Sequence, residues 1–165
     1  MSPAALSEVR KTPLLAPYLR PALYVSELKS RTKAASIEEL VAVLAADKLT
    51  RHPEGVLEAV SRREDLGSTG LGKGIALPHA RSTLVTQRAV VVARSAKGID
   101  FDAMDGQPAH LFFLVVAPPL ERDPVYLKLM AEIVRAVRLA KTRQRLLDAP
   151  DFKAVRRILI GAIDE

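Results

Sequence analysis

The spacing of apolar residues along the chain predicts helices, then strands, then helices. Ser36 and Glu39 have the spacing of a capping box, in which each side chain bonds a free amide of the first turn, so a helix is expected to begin there. Its apolar face would consist of Ile37, Leu40, Val41 and Leu44. A second helix is predicted from residue 53 to about residue 64, with an apolar side formed by Val56, Leu57 and Val60.

Short apolar runs predict strands between these helices and two more helices near the C-terminus. Residues 22–28 alternate apolar and polar side chains, residues 75–77 look like a strand end, and the runs AVVVA at 89–93 and LFFLVVA at 111–117 are typical of strands buried on both faces. The predicted helical stripes are Leu127, Met130, Ile133, Val134 and Val137, then Phe152, Val155, Ile158 and Leu159. We therefore expect an α/β fold: a single domain with a central mixed β-sheet flanked by helices, covering residues 21–165 behind a flexible arm at residues 1–20.

Composition narrows the class of protein. The 165 residues are 48% hydrophobic and 27% charged, which is typical of a globular domain. Zero cysteines exclude a disulfide framework, a thiolate zinc site and a cysteine nucleophile. No run reaches the eighteen or so apolar residues that a membrane span needs, and the first twenty residues lack the single apolar block of a signal peptide. We expect a cytoplasmic protein with no membrane insertion.

The net charge of +6 raises the question of nucleic acid. The positive excess lies in residues 1–35 and 121–165, whereas residues 36–120 are close to neutral. Only 4% of the residues are aromatic and there is no tryptophan, so side chains on which bases could stack are scarce. The composition therefore disfavours nucleic-acid binding, although a solvated basic face or an acidic protein partner is compatible with it.

His79 is the most informative residue because it directly follows Pro78 at a predicted strand end. Proline fixes the backbone direction, so the imidazole is expected at a sheet edge or crevice, where open α/β sheets bind ligands. Arg63 closes the preceding helix and offers a permanent cation able to hold two phosphate oxygens. A histidine, an arginine and an anion-binding loop are the parts needed for phosphoryl transfer to an imidazole, although each alone is also typical of a structural role.

The glycine-rich stretch 67–74 is predicted to be a loop without regular structure. Ser68, Thr69 and Gly70 within it offer hydroxyls and accessible amides that could form a phosphate-binding nest. The loop lacks the Lys-Ser/Thr ending of a Walker A sequence, and it does not match the glycine pattern of a dinucleotide-binding turn.

Three segments resemble the enzyme IIA components of the bacterial phosphoenolpyruvate-dependent sugar phosphotransferase system, of the fructose/mannitol type that includes nitrogen-regulatory relatives. They are RREDLGSTGLGKGIALPHAR at 62–81, IDFDAMDGQPAHLFFLVVAP at 99–118 and YLKLMAEIVRAV at 126–137. The resemblance implies that His79 accepts a phosphoryl group from the phosphocarrier protein HPr and passes it to a IIB component. It also implies that Arg63 neutralises the incoming phosphate and that no metal or organic cofactor is required.

One position departs from that family's pattern. Members with full phosphotransfer function commonly carry a second histidine where this sequence has Tyr126 followed by Leu127. A tyrosine donates a hydrogen bond but carries no positive charge, so Tyr126 is expected beside the phosphate without supplying a cation. His110 stands at the opposite end of the 111–117 strand, and we expect His110 and His52 to be surface or structural residues.

Two functions from different classes remain open. The first is a phosphocarrier that exchanges phosphoryl groups with HPr-like and IIB-type proteins through His79. The alternative is a regulatory, nitrogen-type protein that docks on a target protein in a phosphorylation-dependent way, which the absence of the second histidine favours. Genes encoding a sugar permease beside this one would favour the first, and a regulatory gene context the second.

Overall fold

A mixed β-sheet lies between two layers of helices in the computed structural model, which describes residues 12–120 and 124–164. The helices are α1 (Lys33–Ala46), α2 (Pro53–Asp65), α3 (Val125–Ala136), α4 (Ala140–Asp148) and α5 (Phe152–Ile163). The strands are β1 (Tyr24–Val25), β2 (Gly70–Gly72), β3 (Ile75–Ala76), β4 (His79–Arg81), β5 (Ala89–Ile99) and β6 (Ala109–Ala117). None of the helices in this described part is long and apolar enough to cross a membrane.

The two long strands β5 and β6 form the antiparallel centre of the sheet. Strand order is β1-β5-β6-β3-β2, with β4 also pairing β6. β1 runs parallel to β5, β3 and β4 run parallel to β6, and β2 is antiparallel to β3. Alternate residues of β6 enter different cores, because successive side chains of a strand point to opposite faces. Phe113 and Val115 pack with α3, α4 and α5, whereas Phe112 and Leu114 pack with α1 and α2. The expected α/β fold with a central mixed sheet is confirmed.

Strands β3 and β4 are two pieces of one line of chain along β6. Ile75 pairs with Leu111 and His79 with Val115, so the register is unchanged across the interruption between them. Pro78 lies in the gap and has no amide to donate to a ladder, which confines proline to edges and strand ends. The neighbouring strand β2 reaches only as far as the pairing of Gly70 with Ala76. β4 therefore begins beyond the end of β2, where this side of the sheet is an open edge.

Two predicted helices differ from the observed ones in where they start or which side they bury. α1 begins at Lys33, four residues earlier than expected after the helical cap at Thr32, whose hydroxyl accepts from the amide of Ala35. Ser36 is buried inside the helix, and its hydroxyl donates to the carbonyl of Lys33. The carboxylate of Glu39 accepts instead from the amides of residues 29 and 30. Tertiary burial of Ser36 thus overrides the capping-box pattern.

The apolar face predicted for α3 is partly wrong. Leu127 and Val134 are 54% and 45% exposed, whereas Tyr126, Leu129 and Ile133 are buried against the sheet. Both sets recur at helical spacing, so periodicity alone could not decide between them. The helix buries the set that includes the large tyrosine ring, and Leu127 and Val134 face outward.

The remaining differences concern short elements. The predicted strand at 22–28 is reduced to β1, because Pro21–Leu23 forms a turn of 3₁₀ helix before it. The glycine-rich loop contains β2, which turns into β3 through Lys73 and Gly74, both with positive φ. Such a two-residue turn matches the twist of paired strands. The polar helix α4 has no counterpart in the predicted pattern.

The expected flexible arm at residues 1–20 is corrected for residues 12–20, and the preceding residues lie outside the described part. Leu15 is fully buried and Leu19 nearly so, in the core formed with α3 and α5. The amides of Leu14 and Leu15 donate to the two carboxylate oxygens of Glu132 at 2.9 and 2.8 Å. Apolar burial and these bonds attach the segment to α3, so the domain begins before residue 20.

Replacement of the buried anchor should measure this attachment. We expect Leu15→Ala to lower the free energy of unfolding by about 2–5 kcal/mol, because it removes a fully buried side chain and leaves a cavity. Leu14→Ala is the matched control, since Leu14 is 38% exposed, and should change it by less than about 1 kcal/mol. Urea unfolding followed by circular dichroism measures both, and equal small effects would contradict the attachment.

Candidate active site

An open cleft of about 640 Å³ lies where the ends of α2 and β4 meet the start of α3. Its polar lining includes the imidazole of His79 and the guanidinium groups of Arg62, Arg63 and Arg81. The lining residues also include one acidic side chain, that of Asp65, and the aromatic ring of Tyr126. Its apolar wall is formed by Ala59, Leu66, Ala80, Leu127 and Met130. Basic groups outnumber acidic ones, so the cleft is suited to an anion.

The imidazole of His79 is held by its own strand. Its Nδ1 lies 2.8 Å from the carbonyl oxygen of Leu77. A carbonyl can only accept, so Nδ1 carries the proton and donates this bond. In the neutral ring the other nitrogen, Nε2, is then unprotonated and has a free lone pair. The hydrogen bond therefore selects the tautomer whose Nε2 is a nucleophile.

The environment of His79 favours this neutral form. Burial of the half-buried ring lowers the pKa of His79 below its usual value of 6.5, and the positive charge of Arg63 lowers it further. The hydrogen bond to Leu77 and the negative charge of Glu64 act on the pKa in the opposite direction without reversing the shift. Near pH 7 the imidazole is consequently neutral and able to accept an electrophile.

Arg63 reaches the cleft from the last turn of α2, as the sequence analysis predicts for a cation next to His79. Its Nη1 donates to the carbonyl of Gly67 at 3.0 Å, which fixes the guanidinium at the helix end while other N–H groups of the fork remain. Arg62 forms an ion pair with Glu58 one turn earlier and is less available for a ligand. The structure thus brings Arg63 and His79 into one cleft.

Ser68, Thr69 and Gly70 are hydrogen-bonded within the protein. The Ser68 hydroxyl donates to the carbonyl of Phe101 and accepts from the amide of Gly70 at 3.0 Å. The amide and hydroxyl of Thr69 both donate to the buried carboxylate of Glu64. These donors are committed to holding the loop, and none of the three residues lines the cleft. The loop positions the end of α2, and phosphate binding by these three residues stays a prediction.

Tyr126 lies beside the histidine, as expected, with its ring centroid 6.1 Å from that of His79 and only 6% of its surface exposed. Arg81 was not predicted from the sequence, and its guanidinium lies 4.8 Å from the centroid of the Tyr126 ring. Arg81 and His79 are two apart on β4 and therefore face the same side of the strand. That two-residue spacing in the motif His-Ala-Arg is the signal that could have identified it.

The other two histidines lie away from the cleft. His110 is five residues along β6 from Val115, the partner of His79, which is a distance of about 16 Å at the usual rise of a strand. Its Nδ1 bonds the carbonyl of Ser95 at 2.8 Å. His52 precedes α2, at the opposite end of that helix from Arg63. Neither belongs to the lining of the cleft.

A neutral nucleophilic nitrogen beside fixed guanidinium groups is suited to receive a phosphoryl group, because such transfer depends on positioning and charge neutralisation. No group of three or more potential metal-ligating side chains occurs in residues 12–120 and 124–164. Residues 18–161 match the family model of the phosphoenolpyruvate-dependent sugar phosphotransferase system, EIIA 2. The chain belongs to this family. Its members are phosphotransferase components, which agrees with the chemistry of the cleft.

Individual relatives of this EIIA chain fall into transport and regulatory groups. It is 33% identical over 133 residues to the PTS system fructose-specific EIIA component of Haloferax volcanii, covering 81% of this chain and 86% of that one. It is 33% identical over 139 residues to a nitrogen regulatory protein of Bradyrhizobium diazoefficiens, covering 84% and 90%. Both kinds of similarity extend over most of the domain.

Solved structures agree with the fold. The nitrogen regulatory protein IIA-Ntr of Neisseria meningitidis aligns with a TM-score of 0.82 and 29% identity, over 88% of this chain and 99% of that one. IIA mannitol of Escherichia coli aligns with a TM-score of 0.72 over 84% and 96%, at 22% identity, which supports the shared fold alone.

The pKa of His79 should reflect the burial of its ring and the charges near it. We expect its pKa, followed by NMR of the imidazole nitrogens, to lie below 6.5 because burial and Arg63 oppose protonation. Arg63→Gln should raise that pKa by removing a nearby positive charge, and Nδ1 should remain the protonated nitrogen of the neutral ring.

The exposed Arg51, at the far end of α2, provides the matched control for this titration. Arg51→Gln removes the same charge and should leave the pKa of His79 unchanged. An equal response to both substitutions would show that general protein charge, and not the geometry of the cleft, sets the pKa.

Proposed function

We propose that the protein is a phosphocarrier that accepts a phosphoryl group on Nε2 of His79 and passes it to a second protein. The observation that carries the proposal is the hydrogen bond from Nδ1 to Leu77, which leaves Nε2 as the nucleophile of a ring lining a cationic cleft. HPr-like phosphocarriers are the proposed donors and IIB-type components the proposed acceptors. Exchange with such carriers requires a shared compartment, which we infer to be the cytoplasm.

The transfer needs no net change in oxidation state and no co-reactant. The lone pair of Nε2 attacks phosphorus of the donor's phosphohistidine, and the electron pair of the breaking P–N bond returns to the donor nitrogen. The Nδ1 proton stays on its hydrogen bond to Leu77, so positive charge develops on the ring of His79. The Leu77 carbonyl and the Glu64 carboxylate favour this charge, and Arg63 balances the negative charge of the phosphoryl oxygens.

An apolar rim beside the cleft supplies the proposed docking surface. Leu66 is 85% exposed and Leu127 is 54% exposed, and together with the partly exposed Met130 they line one side of the cleft. Apolar side chains around a polar centre are typical of protein interfaces. A partner seated there would cover His79 and exclude water from the transferring group.

A regulatory role is the second candidate. Several relatives carry the name nitrogen regulatory protein, including the one from Bradyrhizobium diazoefficiens and one from Pseudomonas aeruginosa at 30% identity. Phosphorylation of His79 would add negative charge at the apolar rim and thereby change which partner binds. In this case the same phosphoryl acceptance occurs, but the output is docking on a target and not onward transfer. Transfer from the labelled protein to a IIB component separates the two roles.

Labelling tests the acceptor directly. We expect wild-type protein incubated with phosphoenolpyruvate, enzyme I and HPr to gain one acid-labile phosphate, and His79→Ala to gain none. His110→Ala is the control histidine variant and should be labelled like wild type. Intact-protein mass spectrometry before and after acid treatment measures the gain. Unlabelled wild type, or a labelled His79→Ala variant, would refute the proposal.

The docking surface is tested by an uncharged substitution on the rim. Leu127→Ser should raise the KM for phospho-HPr about tenfold with little change in kcat, because it removes an apolar contact outside the reacting centre. Leu139→Ser is the matched control, since Leu139 is 46% exposed just beyond the far end of α3. Stopped-flow transfer assays over a range of phospho-HPr concentrations measure both. An unchanged KM for Leu127→Ser would place the docking surface elsewhere.

A further inference from the structure

We propose that Arg81, held on the face of Tyr126, contacts the phosphoryl group during transfer and acts as a second catalytic cation beside Arg63. This inference rests on the proposed phosphoryl transfer to His79 and assigns one more group to it. The geometry behind it is the 4.8 Å stacking distance between the Arg81 guanidinium and the Tyr126 ring at the cleft.

The position of Arg81 follows from the strand. β4 carries His79 and Arg81 on one face, with Ala80 buried on the other face against α1 and α2. Parallel pairing of these residues with Val115 and Ala117 fixes the direction in which both side chains leave the sheet. Residues two apart in a strand face the same side and lie roughly 7 Å apart. The long arginine side chain easily spans this distance. The two side chains therefore enter the same cleft from a rigid element.

Tyr126 gives the guanidinium of Arg81 a preferred orientation. It is buried at the start of α3, so its ring is a fixed platform, and that ring also approaches the imidazole of His79 at 6.1 Å between centroids. Guanidinium groups stack on aromatic faces and keep their N–H donors at the edges free for other partners. Stacking thus limits the motion of Arg81 without consuming its hydrogen-bond donors.

The other arginines of the cleft are more committed. Arg62 is paired with Glu58, and Arg63 spends one donor on the carbonyl of Gly67. Within residues 12–120 and 124–164, Arg81 makes neither a hydrogen bond nor an ion pair, and its guanidinium lies over the ring of Tyr126. An arriving phosphoryl group carries charge on three oxygens, whereas the planar fork of one guanidinium holds two oxygens at once. Arg81 is the cation with the capacity to bind the rest.

The energetic balance favours release of Arg81 toward the phosphate. A cation–π contact at an exposed site is worth about 0.5–1 kcal/mol, whereas a hydrogen bond to a charged group contributes about 1.5–3 kcal/mol. Arg81 can therefore keep its stacked position in the resting protein and turn its donors to the phosphoryl oxygens when a partner brings them.

Arg81→Met tests the charge while keeping a long, flexible side chain. We expect kcat for transfer from phospho-HPr to fall about 10- to 100-fold with a smaller change in KM, and Arg81→Lys to recover part of that loss because it restores the charge without the planar fork. Arg51→Met removes an exposed arginine outside the cleft and should transfer at the wild-type rate. Melting temperatures should stay close to wild type, since both arginines are exposed.

The platform is tested by a double-mutant cycle. Tyr126→Phe keeps the aromatic face and should preserve most of the rate, whereas Tyr126→Leu should lower kcat in the wild-type background and much less in the Arg81→Met background. Equal losses in both backgrounds would overturn the platform, and the melting temperature of each variant separates this effect from unfolding.

The outcomes for the inference and for the proposed function are distinct. Wild-type protein that gains no phosphate at His79 overturns the proposed function and the inference with it. Label on His79 in wild type, together with an unchanged kcat for Arg81→Met, overturns only the role of Arg81. A rise in KM without a fall in kcat would assign Arg81 to docking and would likewise overturn its contact with the phosphoryl group.

Discussion

The hydrogen bond between Nδ1 of His79 and the carbonyl of Leu77 is the constraint on which the site depends. It joins residues two apart along the same line of chain, with Pro78 between them. Because β3 and β4 keep one register along β6, the carbonyl and the ring are both fixed by the sheet. The orientation and tautomer of the ring follow from this one contact, and with them the identity of the nitrogen that we propose to react.

The charges around His79 act on different states of the same ring. Burial and Arg63 favour the neutral imidazole, whereas Leu77 and Glu64 favour the positively charged ring that the proposed transfer would form. Glu64 is able to remain buried because Lys33 lies 2.7 Å from one carboxylate oxygen and Thr69 donates to both. A buried carboxylate without such partners would be costly. The loop after α2 therefore stabilises the site through its bonds to Glu64.

The sequence predicts those parts of the structure that local pattern controls. The two buried strands, the apolar face of α5 and the position of His79 after Pro78 are visible in runs, spacing and proline placement. The burial of Ser36, which moves the cap of α1 to Thr32, and the shape of the glycine-rich loop depend on tertiary partners that no local pattern shows. Glu64, for example, looks like one more charged residue of an amphipathic helix until its bonds to Thr69 are seen.

The site was predictable to a similar extent. His79 and Arg63 could be paired because a strand end and a helix end meet in this kind of fold, and Tyr126 was expected nearby from the family resemblance. Arg81 could be assigned to the site only once residues 79–81 were known to form a strand, since strand geometry puts residues two apart on one face. In a loop the same spacing would carry no such information.

The orientation of α3 connects stability to the proposed chemistry. Two apolar stripes compete for burial, and the helix places Tyr126, Leu129 and Ile133 in the core while Leu127 stays at the cleft. This choice leaves apolar surface exposed, which is unfavourable for the isolated protein. It also puts a buried aromatic platform under Arg81 and an apolar rim around the charged groups. In the proposed complex a partner covers that rim, so water would leave and the interaction of the guanidinium groups with phosphate would strengthen, because the local dielectric falls. On this proposal, the exposed apolar stripe is what allows the cations to act at full strength only when a partner is docked.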